Sequence, residues 1–265
     1  MELKQRVIMV TGGSRGIGAE AARQLAAAGA QVVLAARDRA LLEQNAAALR
    51  AQGGSAWALE LDVTSEASVQ TAVQATLDRF GHIDVLINNA GNGGTLGLLL
   101  DQAPDHTRRM FEVHVLGAER MTRAVLPGML ARRQGRIVMV ASAVGYVPMP
   151  GAAAYSAAKA AVLALAEALR GELRGSGVEL HSFSPPHTQT EAGKAWPLQL
   201  PHKFSPEEAA RALLRTLRAD RQEVLAGHTP LLWLRRLSPR WASSMMRGMG
   251  LDALRRLEPA QLGPG

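Results

Sequence analysis

The sequence predicts a doubly wound α/β domain built on a parallel sheet of about seven strands. Short apolar runs alternate with Ala-rich amphipathic segments along most of the chain. One of these runs, Gln31–Ala36, is almost unbroken, as in strands buried on both faces of a parallel sheet. A glycine cluster follows the first apolar run directly and precedes a helical segment, which is the order of a strand, a tight turn and a helix.

The apolar runs fix the positions of the strands, and the amphipathic segments between them fix the helices. The predicted strands are Val7–Val10, Gln31–Ala36, Ala56–Leu61, Val85–Asn88, Arg136–Ala141, Val178–Ser184 and Glu223–Ala226. The predicted helices are Gly16–Ala28, Ala40–Gln52, Ser65–Phe80, Pro104–Arg133 with a bend at Pro127, Ala154–Arg174 and Pro206–Arg218. No internal repeat or linker interrupts this order, so we expect a single domain.

Two regions depart from the alternation. Residues 185–205 are rich in Pro and His and lack periodicity, so we expect a loop within the main domain, 1–227. Residues 228–265 form a tail in which Trp, Leu and Met are interspersed with Arg. Such a basic amphipathic segment can lie on a membrane surface, but packing on its own domain or on a partner subunit is the favoured prediction.

Composition narrows the function classes. The chain has 265 residues, no cysteine and no apolar stretch of the length of a signal or a membrane span, which predicts a cytoplasmic protein without disulfides. Its net charge of +7 could attract nucleic acid, but aromatic residues make up only 4% and no nucleic-acid-binding motif is present. We therefore predict no nucleic-acid partner. The histidine spacing matches no metal site, so no metal is predicted.

The glycine cluster reads Thr11-Gly12-Gly13-Ser14-Arg15-Gly16-Ile17-Gly18. Gly12, Gly16 and Gly18 allow a tight turn and let a pyrophosphate approach the N-terminus of the following helix, where free N–H groups favour anions. The spacing differs from the common G-x-G-x-x-G pattern, and the alternative is a tight turn without a ligand.

Tyr155 and Lys159 lie one helical turn apart, on one face of a predicted helix. A neighbouring ammonium favours the phenolate, so we expect Lys159 to lower the pKa of Tyr155 from its usual value near 10. Ser142, at the end of the fifth strand, is placed to polarise a carbonyl oxygen. The alternative is an ordinary solvated helix surface. Arginine is the usual basic residue of this chain, so a lysine at this position favours a chemical role.

From about Arg6 to Gly227 the chain resembles the short-chain dehydrogenase/reductase family. The resemblance is carried by the glycine turn, by Asn88-Asn89-Ala90-Gly91, by Asp62-Val63 after the third strand, and by Ser142 with Tyr155-x-x-x-Lys159. It implies a Rossmann-type fold and a nicotinamide dinucleotide. The residues implied to bind that cofactor are Thr11, Gly12, Ser14, Arg15, Gly16, Ile17, Gly18, Arg37, Asp62, Val63, Asn89, Ala90, Gly91, Tyr155, Lys159, Thr188 and Thr190.

The end of the second strand predicts NADP(H) rather than NAD(H). An NAD enzyme usually places Asp or Glu here to accept from the ribose 2′-hydroxyl, but this chain reads Ala35-Ala36-Arg37. The Arg37 guanidinium can hold a 2′-phosphate, and Arg15 can approach the same group. Asp38 comes too late to be the acidic discriminator. The alternative makes Arg37 a solvated loop residue.

One residue departs from the family pattern. Where family members commonly have the Asn of Asn-x-x-Gly, which supports a water relay to the lysine, this chain has His114 followed by Gly117. A neutral imidazole could hold the same water and add a pH dependence near neutrality, so His114 is a candidate catalytic residue beside Ser142, Tyr155 and Lys159. Alternatively, His114 is a satisfied buried histidine and the relay is altered or absent.

The substrate region gives weaker signals. The family's Pro-Gly turn appears here as Pro185-Pro186, and the loop through Thr190 is similar to one in reductases of 3-ketosphinganine. Ser142, Val144, Tyr155 and Trp196 are the candidate substrate residues, and the apolar loop residues favour a hydrophobic substrate.

These observations predict an NADP(H)-dependent oxidoreductase of a carbonyl or secondary alcohol, acting in the reductive direction. The resemblance suggests a homodimer or homotetramer formed through the helices 104–133 and 154–174. Two alternatives stay open, a non-catalytic NADP(H)-binding regulator and a membrane-surface reductase of long-chain lipid ketones.

Overall fold

The computed structural model describes residues 1–194, 196, 198, 203–218, 223–226 and 237–256. A seven-stranded sheet with the order β3-β2-β1-β4-β5-β6-β7 forms its centre, and every neighbouring pair is parallel. The order reverses between β1 and β4, which creates a crevice at the carboxyl ends of the strands. The strands are β1 Val7–Thr11, β2 Gln31–Ala36, β3 Ser55–Glu60, β4 Val85–Asn88, β5 Gly135–Val140, β6 Val178–Ser184 and β7 Glu223–Leu225. The predicted fold class is confirmed, and each predicted strand lies within one residue of its observed bounds.

Helices cover both faces of the sheet. They are α1 Gly16–Ala27, α2 Arg39–Ala51, α3 Glu66–Phe80, α4 His106–Phe111, α5 Gly117–Ala131, α6 Ala143–Tyr146, α7 Ala153–Glu172, α8 Glu191–Lys194, α9 Pro206–Arg218 and α10 Pro239–Arg255. The prediction of one helix over Pro104–Arg133 is wrong in one respect. A π-helical turn, Glu112–Leu116, separates α4 from α5, whereas α5 itself continues through Pro127. Such turns insert an extra residue into a helix and often occur at functional sites.

Alternation along β1 explains why the sheet is buried on both sides. Ile8 and Val10 face a core shared with α1, α2 and α9, whereas Val7 and Met9 face a second core shared with α3, α5 and α7. Because neither face of the strand meets water, every position of β1 is apolar or, at Thr11, hydrogen-bonded.

The tail helix α10 packs against residues of the main domain. Ala242 and Met246 are buried in an apolar cluster that also contains Val144 and Met149. A Cβ at Gly250 would lie 2.5 Å from the carbonyl oxygen of Pro150, so the two backbones are in close contact. The rest of the tail, at 228–236 and 257–265, lies outside the described residues. None of the described helices combines the length and apolar character that crossing a bilayer requires.

Candidate active site

The crevice between β1 and β4 is fixed by Thr11. The Thr11 hydroxyl donates to the carbonyl oxygen of Ile87 at 3.2 Å and accepts from the backbone N–H groups of Asn89 and Ala90, each at 3.0 Å. The Asn89 side chain donates back to the carbonyl oxygen of Thr11 at 3.0 Å. These bonds lock the ends of the two strands together, so the glycine turn after β1 has a rigid base.

The glycine turn fits a diphosphate. Gly12 and Gly16 have left-handed φ angles of +68° and +56°, which favour glycine. A Cβ at Gly18 would lie 2.3 Å from the carbonyl oxygen of Gly12, so only glycine allows α1 to start this close to the turn. Arg15 is the N-cap residue of α1 and provides no side-chain cap, so the first N–H groups of the helix stay available to an anion. Ser14 and Ile17 lie on the same turn.

The residues predicted to contact the adenosine half converge at the ends of β2 and β3. Arg37 follows β2 and is exposed, and its charge helps to lower the pKa of Asp62. Burial works to raise that pKa, but hydrogen bonds from Thr64 and the charges of Arg37 and Arg120 outweigh it. Val63 is buried against Gly117.

Arg15 and Asp38 form an ion pair that the sequence analysis did not foresee. The Arg15 guanidinium donates to Asp38 Oδ2 at 2.8 Å, and the two side chains are 66% and 39% exposed, respectively. The other carboxylate oxygen of Asp38 accepts from the backbone N–H of Leu41 at 3.1 Å, which caps α2. The Asp38 carboxylate therefore both caps α2 and forms an ion pair with Arg15 beside the predicted cofactor site.

Ser142, Tyr155 and Lys159 meet where β5 ends and α7 begins. The Ser142 side chain lies close enough to the Tyr155 hydroxyl to act against the rise of the pKa of the phenol. Lys159 is buried, its ammonium lies 5.7 Å from the centre of the Tyr155 ring, and it donates to the carbonyl oxygen of Val140 at 2.7 Å. The structure thus brings together the three residues that the sequence singled out.

The pKa values correct the predicted acid–base pairing. Burial raises the pKa of Tyr155 to about 12, although the neighbouring Ser142 side chain works in the opposite direction. Burial also lowers the pKa of Lys159 to about 7. The expected lowering of the phenol pKa by Lys159 is therefore wrong for the protein alone. Desolvation dominates both groups, and Lys159 directs its hydrogen bond at Val140 rather than at the phenol.

His114 lies in the π-helical turn and packs against the same tyrosine. Its ring is T-shaped to the Tyr155 ring at 5.3 Å between centres, and its Nε2–H donates to the carbonyl oxygen of Asn92 at 2.8 Å. A Cβ at Gly91 would lie 2.1 Å from the imidazole, so this glycine makes room for the histidine. The contacts with Tyr155, Asn92 and Gly91 hold the imidazole in one orientation beside the reacting residues.

The proposed titration of His114 near neutrality is wrong. Burial holds the pKa of His114 well below its usual 6.5, the charge of Lys159 lowers it further, and the bond to Asn92 opposes them only in part. The ring is therefore neutral at physiological pH.

The residues predicted on the substrate side also converge. The Trp196 indole is buried and T-shaped to the Tyr155 ring, with 5.3 Å between the centres, and it packs in one apolar cluster with Val144. Thr188 is buried and donates to the carbonyl oxygen of Pro186 at 2.7 Å. Thr190 reaches the glycine turn, because a Cβ at Gly16 would lie 3.1 Å from its methyl group.

Residues 6–200 match the family described as short chain dehydrogenase. The chain belongs to the short-chain dehydrogenase/reductase family. It is an oxidoreductase, which passes a hydride between a nicotinamide nucleotide and a carbonyl or alcohol carbon, and the recognition made from the sequence motifs is confirmed.

Named relatives and solved structures show the same similarity. The chain is 33% identical over 257 residues to dehydrogenase/reductase SDR family member 7B of Bos taurus, with 89% of this chain and 79% of the relative covered. It is 41% identical over 187 residues to the monensin polyketide synthase putative ketoacyl reductase of Streptomyces virginiae, with 70% and 71% covered.

Two solved structures share the fold at useful sequence identity. A short chain dehydrogenase/reductase from Burkholderia phymatum in complex with NAD is 26% identical, with a TM-score of 0.83 over 94% of this chain and 98% of that one. Actinorhodin polyketide ketoreductase with NADPH is 29% identical, with a TM-score of 0.78 over 84% of this chain and 95% of that one. The first structure contains NAD and the second NADPH, so both bind a nicotinamide nucleotide, but only the second cofactor carries a 2′-phosphate.

Some residues of this site were not indicated by any sequence motif. Asn92 and Gly93 contact His114 and Trp196 through tertiary packing alone. Asn88 did appear within the Asn-Asn-Ala-Gly motif, but nothing in the motif shows that its side chain faces the site. Only the position of β4 beside β5 brings it there.

Proposed function

We propose that this protein is an NADP(H)-dependent reductase of hydrophobic ketones in which Tyr155 protonates the substrate oxygen. The observation that carries the proposal is the convergence of Ser142, Tyr155 and Lys159 at the end of β5. The nicotinamide, when bound, supplies the hydride. Ser142 donates a hydrogen bond to the carbonyl oxygen, which favours the negative charge that develops there.

The direction of the pKa shifts supports reduction. With a pKa of about 12, Tyr155 keeps its proton at neutral pH and is ready to give it to a forming alkoxide. With a pKa of about 7, Lys159 exists in both charged and neutral forms at neutral pH, so it can exchange protons readily. The family resemblance adds that Lys159 would hold the nicotinamide ribose.

The choice of NADP(H) is supported by the end of β2. Arg37 is exposed at the place where an NAD enzyme has a carboxylate, and Arg15 projects from the glycine turn toward the same region. The fit of the diphosphate is supported by the Gly12, Gly16 and Gly18 backbone, which leaves no room for a side chain.

A hydrophobic substrate is supported by the apolar cluster beside Tyr155, which includes Leu96, Val144, Met149 and Trp196. A cavity of about 370 Å³ is lined by Asn92, Gly93, Gly94, Thr95, His106, Arg109 and Met110. This volume is within the range of small-molecule sites. Because one relative is named a ketoacyl reductase, 3-oxoacyl thioesters and long-chain ketones are the substrate classes to test first.

We also propose that two or four copies assemble through α5 and α7. Leu116 and Leu130, at the two ends of the α5 region, are partly exposed apolar residues on that surface. Sedimentation at several concentrations measures this directly, and a monomer throughout would contradict it.

The test of the function is NADPH oxidation with a panel of 3-oxoacyl thioesters and aliphatic ketones, for the wild type and for Tyr155→Phe. We expect turnover in the wild type and a loss of at least about 100-fold in the variant, because general acid catalysis contributes that much. NADPH binding, followed by fluorescence, should survive the substitution. Binding without turnover of any ketone would favour the non-catalytic regulator, and equal rates in both proteins would refute the role of Tyr155.

A further inference from the structure

The glycine turn after β1 is held by the unit that β2 and α2 form. The Gly13 N–H donates to a backbone carbonyl oxygen of β2 at 3.2 Å. The side-chain amide of Asn45, on α2, donates to the carbonyl oxygen of Ser14 at 2.9 Å. The guanidinium of Arg15 pairs with the carboxylate of Asp38, with 2.8 Å between nitrogen and oxygen. Three successive residues of the turn are therefore held by three different groups of this unit.

No sequence motif marks Asn45, although it lies in the middle of α2. It is followed by Ala46-Ala47-Ala48, and asparagine is a weaker helix former than alanine. The Asn45 side chain is half-buried, and its amide nitrogen reaches a carbonyl oxygen 31 residues earlier in the chain. The contact with Ser14, rather than the stability of the helix, therefore explains an asparagine at this position.

The hydrogen bond from Asn45 fixes the direction of a whole peptide group. The peptide bond between Ser14 and Arg15 is trans, so its C=O and its N–H point in opposite directions. Because the Ser14 carbonyl oxygen points at α2, the Arg15 N–H points away from α2. Without this bond the peptide group can turn more freely, since glycines flank it on both sides at positions 13 and 16.

The Arg15 N–H is available to an anion. Among the residues that the structure describes, the backbone N–H groups of Ser14 and Arg15 donate no hydrogen bond. N–H groups at the start of a helix attract phosphate oxygens, because the helix dipole is positive there. Asn45 therefore holds an unused donor in a fixed direction at the start of α1, where the glycine turn fits a diphosphate.

We propose that Asn45 is a positioning residue for the nucleotide, which holds the Ser14–Arg15 peptide so that the Arg15 N–H donates to a phosphate group of the cofactor. Asn45 acts through the backbone and is not a catalytic residue. The inference rests on the nucleotide site of the proposed function, but it does not depend on the chemistry at Tyr155. The phosphate is either the diphosphate or the 2′-phosphate, and binding of NADPH and of NADH separates the two.

Asn45→Ala removes the amide donor, and Gln44→Ala is the matched control, because it removes the same group from the exposed neighbouring position of α2. Binding of both nucleotides is measured by fluorescence titration. We expect Asn45→Ala to weaken binding about three- to tenfold, the effect of one hydrogen bond, and Gln44→Ala to leave it unchanged. Weakening of both nucleotides assigns the diphosphate, and weakening of NADPH alone assigns the 2′-phosphate. Unchanged binding of both nucleotides by Asn45→Ala, or an equal loss in Gln44→Ala, would overturn the proposal.

Two further measurements separate positioning from a loss of structure. In ¹H–¹⁵N NMR spectra, the Arg15 amide signal of the wild type should shift when NADPH binds, and this shift should be smaller in Asn45→Ala. In steady-state kinetics, Asn45→Ala should raise the KM for the nucleotide and leave kcat near the wild type. A wild-type Arg15 signal that does not respond to NADPH would refute the role of this N–H. A variant that loses kcat and free energy of unfolding together, with an unchanged KM, would show a structural role only.

The outcome is distinguishable from a failure of the proposed function, because the nucleotide titrations need no ketone. If no ketone is reduced but Asn45→Ala binds NADPH more weakly, the positioning role stands and the proposed activity does not. If ketones are reduced and Asn45→Ala binds both nucleotides as the wild type does, the activity stands and the positioning role is refuted.

Discussion

The choice between NADPH and NADH depends on two neighbouring residues of opposite charge, Arg37 and Asp38. Arg37→Ala removes the guanidinium that we expect to hold the 2′-phosphate. A hydrogen bond to a charged group contributes about 1.5–3 kcal/mol. Because Arg37 is exposed, solvent screens the interaction, and the lower end of that range applies. About 1.4 kcal/mol corresponds to a tenfold change in Kd, so NADPH binding should weaken about tenfold and NADH binding should hardly change.

Asp38→Asn tests the same surface in the opposite direction. The carboxylate of Asp38 forms an ion pair with the Arg15 guanidinium, with 2.8 Å between nitrogen and oxygen, and it would repel a 2′-phosphate. Asparagine is as good an N-cap as aspartate, so α2 should keep its cap and its stability. We expect NADPH to bind several-fold more tightly, since about 0.5–1 kcal/mol of repulsion is removed at an exposed site.

Binding of both nucleotides is measured by fluorescence titration at two salt concentrations, because charge interactions at the surface weaken as salt increases. Arg123→Ala is the matched control: it removes an exposed arginine that pairs with Glu119 on α5, away from β2. Equal weakening of NADPH and NADH by Arg37→Ala would refute the reasoning. So would a selective loss of NADH binding in Asp38→Asn, which would make Asp38 the ligand of the ribose hydroxyl.

Three further predictions concern packing, pH and the tail. Gly91→Ala places a methyl group against the imidazole of His114, so it should lower the free energy of unfolding by about 1–3 kcal/mol and also lower kcat. Gly171→Ala, whose Cβ meets nothing within 4 Å, is the control, and equal shifts of the denaturant midpoint in both variants would contradict the close packing of Gly91 on His114. Because the pKa of His114 is lowered in the folded protein, the unfolded chain binds more protons below pH 6.5, and the free energy of unfolding should fall as the pH drops from 7 to 5. His114→Asn should make this dependence on pH less steep, and an unchanged dependence would contradict the lowered pKa of His114. Because α10 buries Ala242, Met246 and Ala253 on its own domain, the protein should not co-sediment with anionic vesicles at low or moderate salt. Co-sedimentation would contradict this prediction and would point to the exposed Leu99, Leu100 and Trp241 as membrane contacts.

Features that depend on neighbours along the chain could be predicted from the sequence. The strands follow from apolar runs such as Gln31–Ala36, because a strand buried on both faces must be apolar at nearly every position. The glycine turn and the one-turn spacing of Tyr155 and Lys159 are likewise local, and they placed the site correctly at the end of β1 and on α7.

Helix continuity was the exception among the local features. Nothing in the sequence around His114 distinguishes a π-helical turn from an α-helix, because the difference is one inserted residue that no local pattern marks.

The sequence by itself determined the fold class, the family and the three reacting side chains. Only the tertiary structure decided their protonation, because a pKa depends on desolvation by residues that are remote in sequence. Burial raised the pKa of Tyr155 where a lysine neighbour predicted the opposite, and it fixed His114 as a neutral acceptor. Tertiary packing also brought Asn88 and Lys159 into the lining of one cavity and packed α10 against the apolar cluster that contains Val144 and Trp196, since both depend on contacts between distant segments.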